Sequence, residues 1–132
     1  MTSEVSPPAV ASKSTRVLLI VRVWAAFIAL CHVVGLAGII VPLFIRPASG
    51  RDFALTLLSL SHHIVALVTA IVLFVGLRNG RFGLMLALAL GAAYGVFMLP
   101  VSLGVGVVSF VFALLLYVPP LVLMYCRPAE FW

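Results

Sequence analysis

Long apolar stretches separated by short polar segments dominate this chain. Residues 17–43 and 53–77 are mainly apolar, and residues 82–126 contain no Lys, Arg, Asp or Glu. A membrane-spanning helix needs ~20 apolar residues, so the first two stretches each predict one span. One helix over the third stretch would be about twice as long as the ~30 Å hydrocarbon core is thick, which predicts a hairpin of two spans. The turn of that hairpin is expected at Pro100, Ser102, Gly104 and Gly106.

This pattern predicts an all-α, polytopic membrane protein built as a four-transmembrane-helix bundle. The transmembrane domain covers residues 17–126, with helices expected at residues 17–43, 53–77, 82–99 and 105–126. Residues 1–16 are rich in Ser, Thr and Pro and poor in large apolar side chains, so they predict a disordered tail. Residues 127–132 form a second, short tail.

Composition supports a chain whose solvent is the lipid bilayer. It is 65% hydrophobic and 8% charged, whereas soluble domains are about 25% charged. The net charge of +5 does not indicate a nucleic-acid partner, because the cations lie at or near the ends of the apolar stretches, which is a topology signal. The abundance of Arg, Ala, Val, Leu and Gly hints at a bacterial source.

The distribution of cations predicts orientation. Arg46 and Arg51 stand alone in one segment outside the membrane, and the positive-inside rule places the side with more cations in the cytoplasm. Both termini are therefore expected in the cytoplasm, with the protein in the inner (plasma) membrane. The cations on the cytoplasmic side are Lys13, Arg16, Arg22, Arg78, Arg81 and Arg127.

The second helix has one polar and small face within an arc of about 140°, opposite a face of Leu, Ile, Val and Phe. In the first helix, Arg22, Ala25, Ala29 and His32 share one side, with Arg22 able to extend to the headgroups and Trp24 placed in the interface belt. The two faces are expected to meet, with their histidines at similar depth. The polar face consists of Thr56, Ser59, His62, His63, Ala66, Thr69 and Ala70.

His32, His62 and His63 are the candidate cofactor-binding residues, because ionisable groups inside a membrane favour a functional role. They could bind haem b, hydrogen-bond a quinone or bind a metal ion. Helices packed 8–10 Å apart leave no room for a porphyrin. Metal sites usually use three or four protein ligands, and the predicted spans contain no Asp or Glu that could join the three histidines. No metal site is therefore predicted. The favoured role is structural hydrogen bonding to Ser59, Thr69 or a backbone carbonyl.

Glycine and proline residues indicate where helices pack, bend or turn. Gly91 and Gly95 form a GxxxG pattern, which predicts close helix packing within the chain or, alternatively, at a homodimer or partner seam. Pro119 and Pro120 lack N–H groups, so they are expected to free carbonyls near Leu115 and Leu116 and to kink the last helix. Gly80 lies in a tight turn and can adopt positive φ.

Residues 64–96, IVALVTAIVLFVGLRNGRFGLMLALALGAAYGV, contain an apolar helix ending Gly-Leu-Arg and a basic turn into an Ala/Leu-rich helix. This segment resembles the small four-helix DoxX-like membrane proteins. Such proteins are typically membrane partners of redox enzymes, so the resemblance implies a similar accessory role. The chain lacks the Lys late in helix 1 and the acidic residue in helix 2 that the pattern carries, and no site residues are transferred.

Three functional hypotheses follow. The leading hypothesis is a non-catalytic accessory or assembly subunit of a bacterial inner-membrane complex, with a membrane-protein partner or a homo-oligomer. The second is a haem-binding or quinone-binding electron-transfer subunit, and the third is a small oligomeric transporter. The sequence contains no nucleotide-binding loop, nucleophile triad, carboxylate pair or zinc signature, which argues against an enzyme.

Overall fold

The computed structural model describes residues 10–45, 50–75 and 79–126, and these residues form four helices. All four are long and apolar enough to cross a membrane. The predicted all-α, multi-pass fold is therefore confirmed. The helices are α1 (Val10–Ile45), α2 (Arg51–Val75), α3 (Gly80–Met98) and α4 (Leu103–Cys126).

The helices pack in the order in which they follow one another. Each helix makes broad contact with its neighbour in sequence, whereas α1 and α4 meet over only a few residues. Because short turns join antiparallel neighbours, the result is a ring of four helices that is completed where α1 meets α4. The core inside this ring combines small and large side chains, namely Val21, Ala25, Ile28, Ala66, Ala70, Leu73, Leu84, Ala87, Ala113, Leu116, Tyr117, Leu121 and Met124.

The buried side of α1 is rotated away from Arg22. Val21, Ile28 and His32 are buried together with Ala25, at the helical spacing that places residues on one side. Arg22 is exposed. The expectation that Arg22 shares the packed face is wrong, because the guanidinium would lose its hydration there, and the adjacent Val21 takes the buried position.

α1 begins at Val10, so residues 10–16 are helical rather than part of a disordered tail. Adding residues to an existing helix avoids the cost of nucleation, and the apolar part of α1 provides a helix to extend. Helices α3 and α4 also begin two residues earlier than expected. The described residues exclude 1–9, 46–49, 76–78 and 127–132. The predicted end of the second helix, most of the predicted N-terminal tail and all of the C-terminal tail lie outside the described residues.

The turns use glycine in two different ways. Gly50 has a φ of 60° and its carbonyl accepts a hydrogen bond from the N–H of Phe53 at 3.1 Å, so it lies directly before the first turn of α2. Gly80 does not adopt positive φ as expected, because it is already the first residue of α3. A side chain at Gly80 would overlap Leu73 of α2, so this glycine permits close packing instead.

The α3–α4 hairpin forms at the expected place and is held by very close backbone packing. A Cβ atom at Gly95 would lie 2.9 Å from the backbone nitrogen of Phe110 and 3.0 Å from the carbonyl oxygen of Gly106. A Cβ atom at Gly106 would lie 2.8 Å from the carbonyl oxygen of Gly95. Only glycine at both positions allows the two backbones to approach this closely.

Replacing Gly95 with Ala should therefore lower the free energy of unfolding by about 1–3 kcal/mol, because the new methyl group meets backbone atoms that cannot rotate away. Gly104→Ala is the matched control, since nothing lies within 4 Å of a Cβ atom there. Thermal unfolding of both variants in the same detergent measures the difference. Equal melting temperatures would show that the α3–α4 contact is looser than described.

Candidate functional site

His32, His62, His63 and Tyr117 form a cluster of ring side chains in the middle of the bundle, here called the histidine cluster. His32 from α1 is 2% exposed, His62 from α2 is 9% exposed, and Tyr117 from α4 is fully buried. His63 is partly buried. All four lie near the middle of their helices, so the cluster is far from both membrane surfaces.

The Tyr117 hydroxyl joins two of the three imidazoles. Its oxygen lies 2.8 Å from Nε2 of His62 and 2.5 Å from Nε2 of His32. A hydroxyl has one proton, so Tyr117 donates to one of these nitrogens and accepts from the N–H of the other. The two histidines therefore have opposite protonation at Nε2. This bridge connects α1, α2 and α4 through a single side chain.

His63 is held in one tautomer by its own helix. Its Nδ1 lies 2.7 Å from the backbone carbonyl oxygen of Ser59. A carbonyl oxygen only accepts hydrogen bonds, so Nδ1 of His63 carries the proton, and in the neutral ring Nε2 has a free lone pair. The imidazole packs against Gly35 of α1, where any side chain would overlap it.

Nδ1 of His32 is the unsatisfied polar atom of the cluster. It is buried and has no hydrogen-bond partner within the described part of the chain. Leaving a buried polar group unpaired costs about 1–3 kcal/mol, and a purely structural role of His32 does not offset this cost. Interhelical hydrogen bonding thus accounts for Nε2 of His32 but not for its second nitrogen.

The three imidazoles pack edge to face. The ring centroid of His32 lies 4.9 Å from that of His62 and 4.9 Å from that of His63, and the latter two are 5.3 Å apart. A porphyrin cannot lie between imidazoles that already contact one another. Axial ligation of one haem by His32 with His62 or His63 therefore does not fit this arrangement.

The orientation expected for α2 is confirmed at most positions. Ser59, His62 and Thr69 are buried with Ala66 and Ala70, and Thr69 returns its hydroxyl hydrogen bond to the carbonyl of Val65. The opposite side is exposed to lipid, as expected, at Leu57, Ile64, Ile71 and Phe74. The expected residues Leu58 and Leu67 are instead partly buried.

Trp24, which was predicted for the interface belt, is partly buried and binds α4. Its indole N–H donates a hydrogen bond to the carbonyl oxygen of Leu116 in α4, at 2.7 Å. Pro120 has no N–H to bond to the carbonyl four residues earlier, so this carbonyl is one of the two predicted to be free. The proline pair thus creates an acceptor that α1 uses to bind α4.

Gly91 and Gly95 pack within the chain. A Cβ atom at Gly91 would lie 2.9 Å from Nε2 of His62 and 3.0 Å from Cβ of Ala113. Gly91 therefore brings the α3 backbone close to the histidine cluster, while Gly95 contacts α4. All four helices contribute to the surroundings of the cluster.

Sequence reasoning missed Tyr117. The signal available was depth: Tyr117 lies in the middle of an otherwise apolar part of α4, where a phenol hydroxyl needs a buried partner. The three histidines were expected to hydrogen-bond to Ser59, Thr69 or a backbone carbonyl of another helix. His63 does bond to a backbone carbonyl, but to that of Ser59 in its own helix.

The cluster supplies neutral nitrogen donors and one phenol, and no carboxylate, since residues 17–45 and 53–126 contain no Asp or Glu. In comparisons with known proteins, no family model, no curated protein and no solved structure matches this chain. The chemistry open to such a cluster is hydrogen bonding and the binding of a soft or borderline metal ion.

Replacing Tyr117 with Phe should lower the free energy of unfolding by about 1–3 kcal/mol, because it removes the hydroxyl between two buried imidazoles without changing the ring. Tyr125→Phe is the control, since the Tyr125 side chain is exposed and its hydroxyl only approaches the sulfur of Met85 at 3.9 Å. Thermal unfolding in detergent compares the two. A Tyr117→Phe variant as stable as Tyr125→Phe would contradict the bridging role.

Proposed function

We propose that this protein is a non-catalytic accessory or assembly subunit of a bacterial inner-membrane complex. The observation that carries the proposal is the outer surface of α1. Only 11% of the most apolar stretch of α1 is buried within the chain, against 28%, 22% and 33% for α2, α3 and α4. A helix of this length with little packing inside its own bundle provides a surface for a second membrane protein.

The side chains on this surface are large and apolar. Leu30, Val33 and Val34 are more than half exposed, on the side of α1 that points away from His32. Helix association in lipid depends on van der Waals packing, and such side chains can pack against a partner helix as well as against lipid. The DoxX-like resemblance of residues 64–96 agrees with an accessory role.

The interior argues against the competing functions. Proton-coupled transport commonly uses a carboxylate embedded in the membrane, and residues 17–45 and 53–126 contain no Asp or Glu. Electron transfer through a haem held by two of the histidines is disfavoured by the direct contact between their rings. What remains is a stable scaffold with a polar centre and an extensive apolar exterior.

The expected result of mild detergent extraction from the native host is that the tagged chain copurifies with at least one membrane protein in a fixed ratio. Mixing extracts of tagged and untagged cells after solubilisation is the control for association in detergent. Native gel analysis and mass spectrometry identify the partner. A chain recovered only as a monomer would contradict the proposal.

A photo-crosslinking residue locates the contact. Leu30 of α1 and Ile71 of α2 are both 63% exposed and both face lipid, so they form a matched pair. The proposal expects a partner crosslink from position 30 and none from position 71. Crosslinks from position 71 alone would move the docking surface away from α1.

The proposed orientation has both termini in the cytoplasm. Four spans place the two ends of the described transmembrane domain on one side of the membrane, and the positive-inside rule assigns that side to the cytoplasm. A reporter active only in the cytoplasm should therefore give signal when fused to the C-terminus or inserted at the Gly80 turn. Insertion at Gly50 should give none, and the reverse pattern would invert the topology.

A further inference from the structure

The three histidines are spaced as ligands of one metal ion. One ring nitrogen from each of His32, His62 and His63 lies within 4.8 Å of the other two. Imidazoles that share a metal ion at 2.0–2.1 Å from each nitrogen have ring centroids about 5 Å apart. The observed centroid separations are 4.9, 4.9 and 5.3 Å, so ring rotations with small shifts would bring the three nitrogens to one ion.

Two of the three donors are free to bind. Nε2 of His63 has a lone pair, because Nδ1 donates to the Ser59 carbonyl, and this pairing of a ligand histidine with a backbone carbonyl is typical of metal sites. Nδ1 of His32 is buried and, among the residues that the structure describes, has no hydrogen-bond partner. A metal ion would satisfy this atom without breaking the hydrogen bond between Nε2 of His32 and Tyr117. The third donor, Nε2 of His62, would exchange its hydrogen bond from the Tyr117 hydroxyl for the ion.

We propose that His32, His62 and His63 together bind one cuprous ion, Cu(I). Imidazole nitrogen is a good ligand for copper, and a cuprous ion accepts three neutral donors. Charge selects this ion over Zn²⁺. Residues 17–45 and 53–126 contain no Asp or Glu, so the full charge of the ion stays in hydrocarbon, where the cost of burying a charge rises with its square. Tyr117 then acts as a positioning residue that holds the His32 ring.

This inference goes beyond an accessory role and does not depend on a partner. The purified chain, freed of metal by chelation and kept anaerobic with ascorbate, is titrated with Cu(I) against a coloured Cu(I) chelator. One equivalent of Cu(I) per chain is expected to bind. The same titration with Zn²⁺ should show no stoichiometric binding, and equally tight zinc binding would overturn the assignment of the ion.

Variants test the ligands. His32→Ala and His63→Ala should each abolish stoichiometric binding, whereas Tyr125→Phe should not change it. Tyr117→Phe should weaken binding by about 10–100-fold, as is usual when the group that orients a metal-binding histidine is removed. Copper bound as tightly by His63→Ala as by the unmodified chain would reject the site.

Substitutions at two glycines of α1 test the geometry of the site without changing its ligands. Gly35→Ala keeps all three histidines but displaces the His63 ring, whereas Gly38→Ala, less than one turn further along α1, meets nothing within 4 Å. Gly35→Ala should weaken Cu(I) binding by about 10–100-fold, like the loss of an orienting group, and Gly38→Ala should leave it unchanged. Equal affinity of the two variants would contradict the proposed geometry.

X-ray absorption of the copper-loaded, unmodified chain keeps the test independent of folding defects in the variants. The proposal expects three nitrogen neighbours with imidazole scattering and no sulfur neighbour. A sulfur shell, which would implicate Cys31 or Cys126, would overturn it. A chain that binds no copper at all would leave the histidine cluster as hydrogen-bonded packing and reject the proposal.

Discussion

Lipid hydrocarbon offers no hydrogen-bond partner, so every polar side chain in the spans must find its partner inside the protein. This constraint determines how the four helices are arranged around one another. Three histidines and one tyrosine are the polar rings at mid-depth, and the bundle forms around them. Tyr117 satisfies one nitrogen of His32 and one of His62, and Ser59 satisfies one nitrogen of His63 through its carbonyl. The small residues around them let the backbones approach closely enough for these short bonds.

The close approach of the helices and the hydrogen bonds of the buried histidines depend on one another. Gly35 leaves room for the His63 ring, and Gly91 leaves room for His62. Larger residues at these positions would move the helices apart and lengthen the hydrogen bonds. In a membrane, where apolar packing between helices has little advantage over lipid contact, such combined constraints give the fold much of its specificity.

The four spans and the buried face of α2 followed from the sequence because lipid imposes strong rules on hydropathy and polarity. Details that depend on neighbouring helices could not be predicted in this way. The hydrogen bond from the Trp24 N–H to the Leu116 carbonyl depends on how α1 packs against α4, which the sequence does not show. Arg22 and Val21 are adjacent, and only the actual contact with the other helices decides which of them is buried. Tyr117 was missed because its partners lie on helices distant in sequence.

The seam between α1 and α4 differs from the other three contacts of the ring. Few residues pack there, and an apolar groove of about 220 Å³ lies along it, lined by Ile20, Val21, Trp24, Pro119, Pro120 and Leu123. The Trp24–Leu116 and His32–Tyr117 hydrogen bonds cross this seam at consecutive residues of α4. Moving α4 away from α1 would break both bonds at once and open the centre of the bundle sideways to the bilayer. The rate at which water, a proton or an ion exchanges with the buried imidazoles is therefore tied to how often this one seam opens.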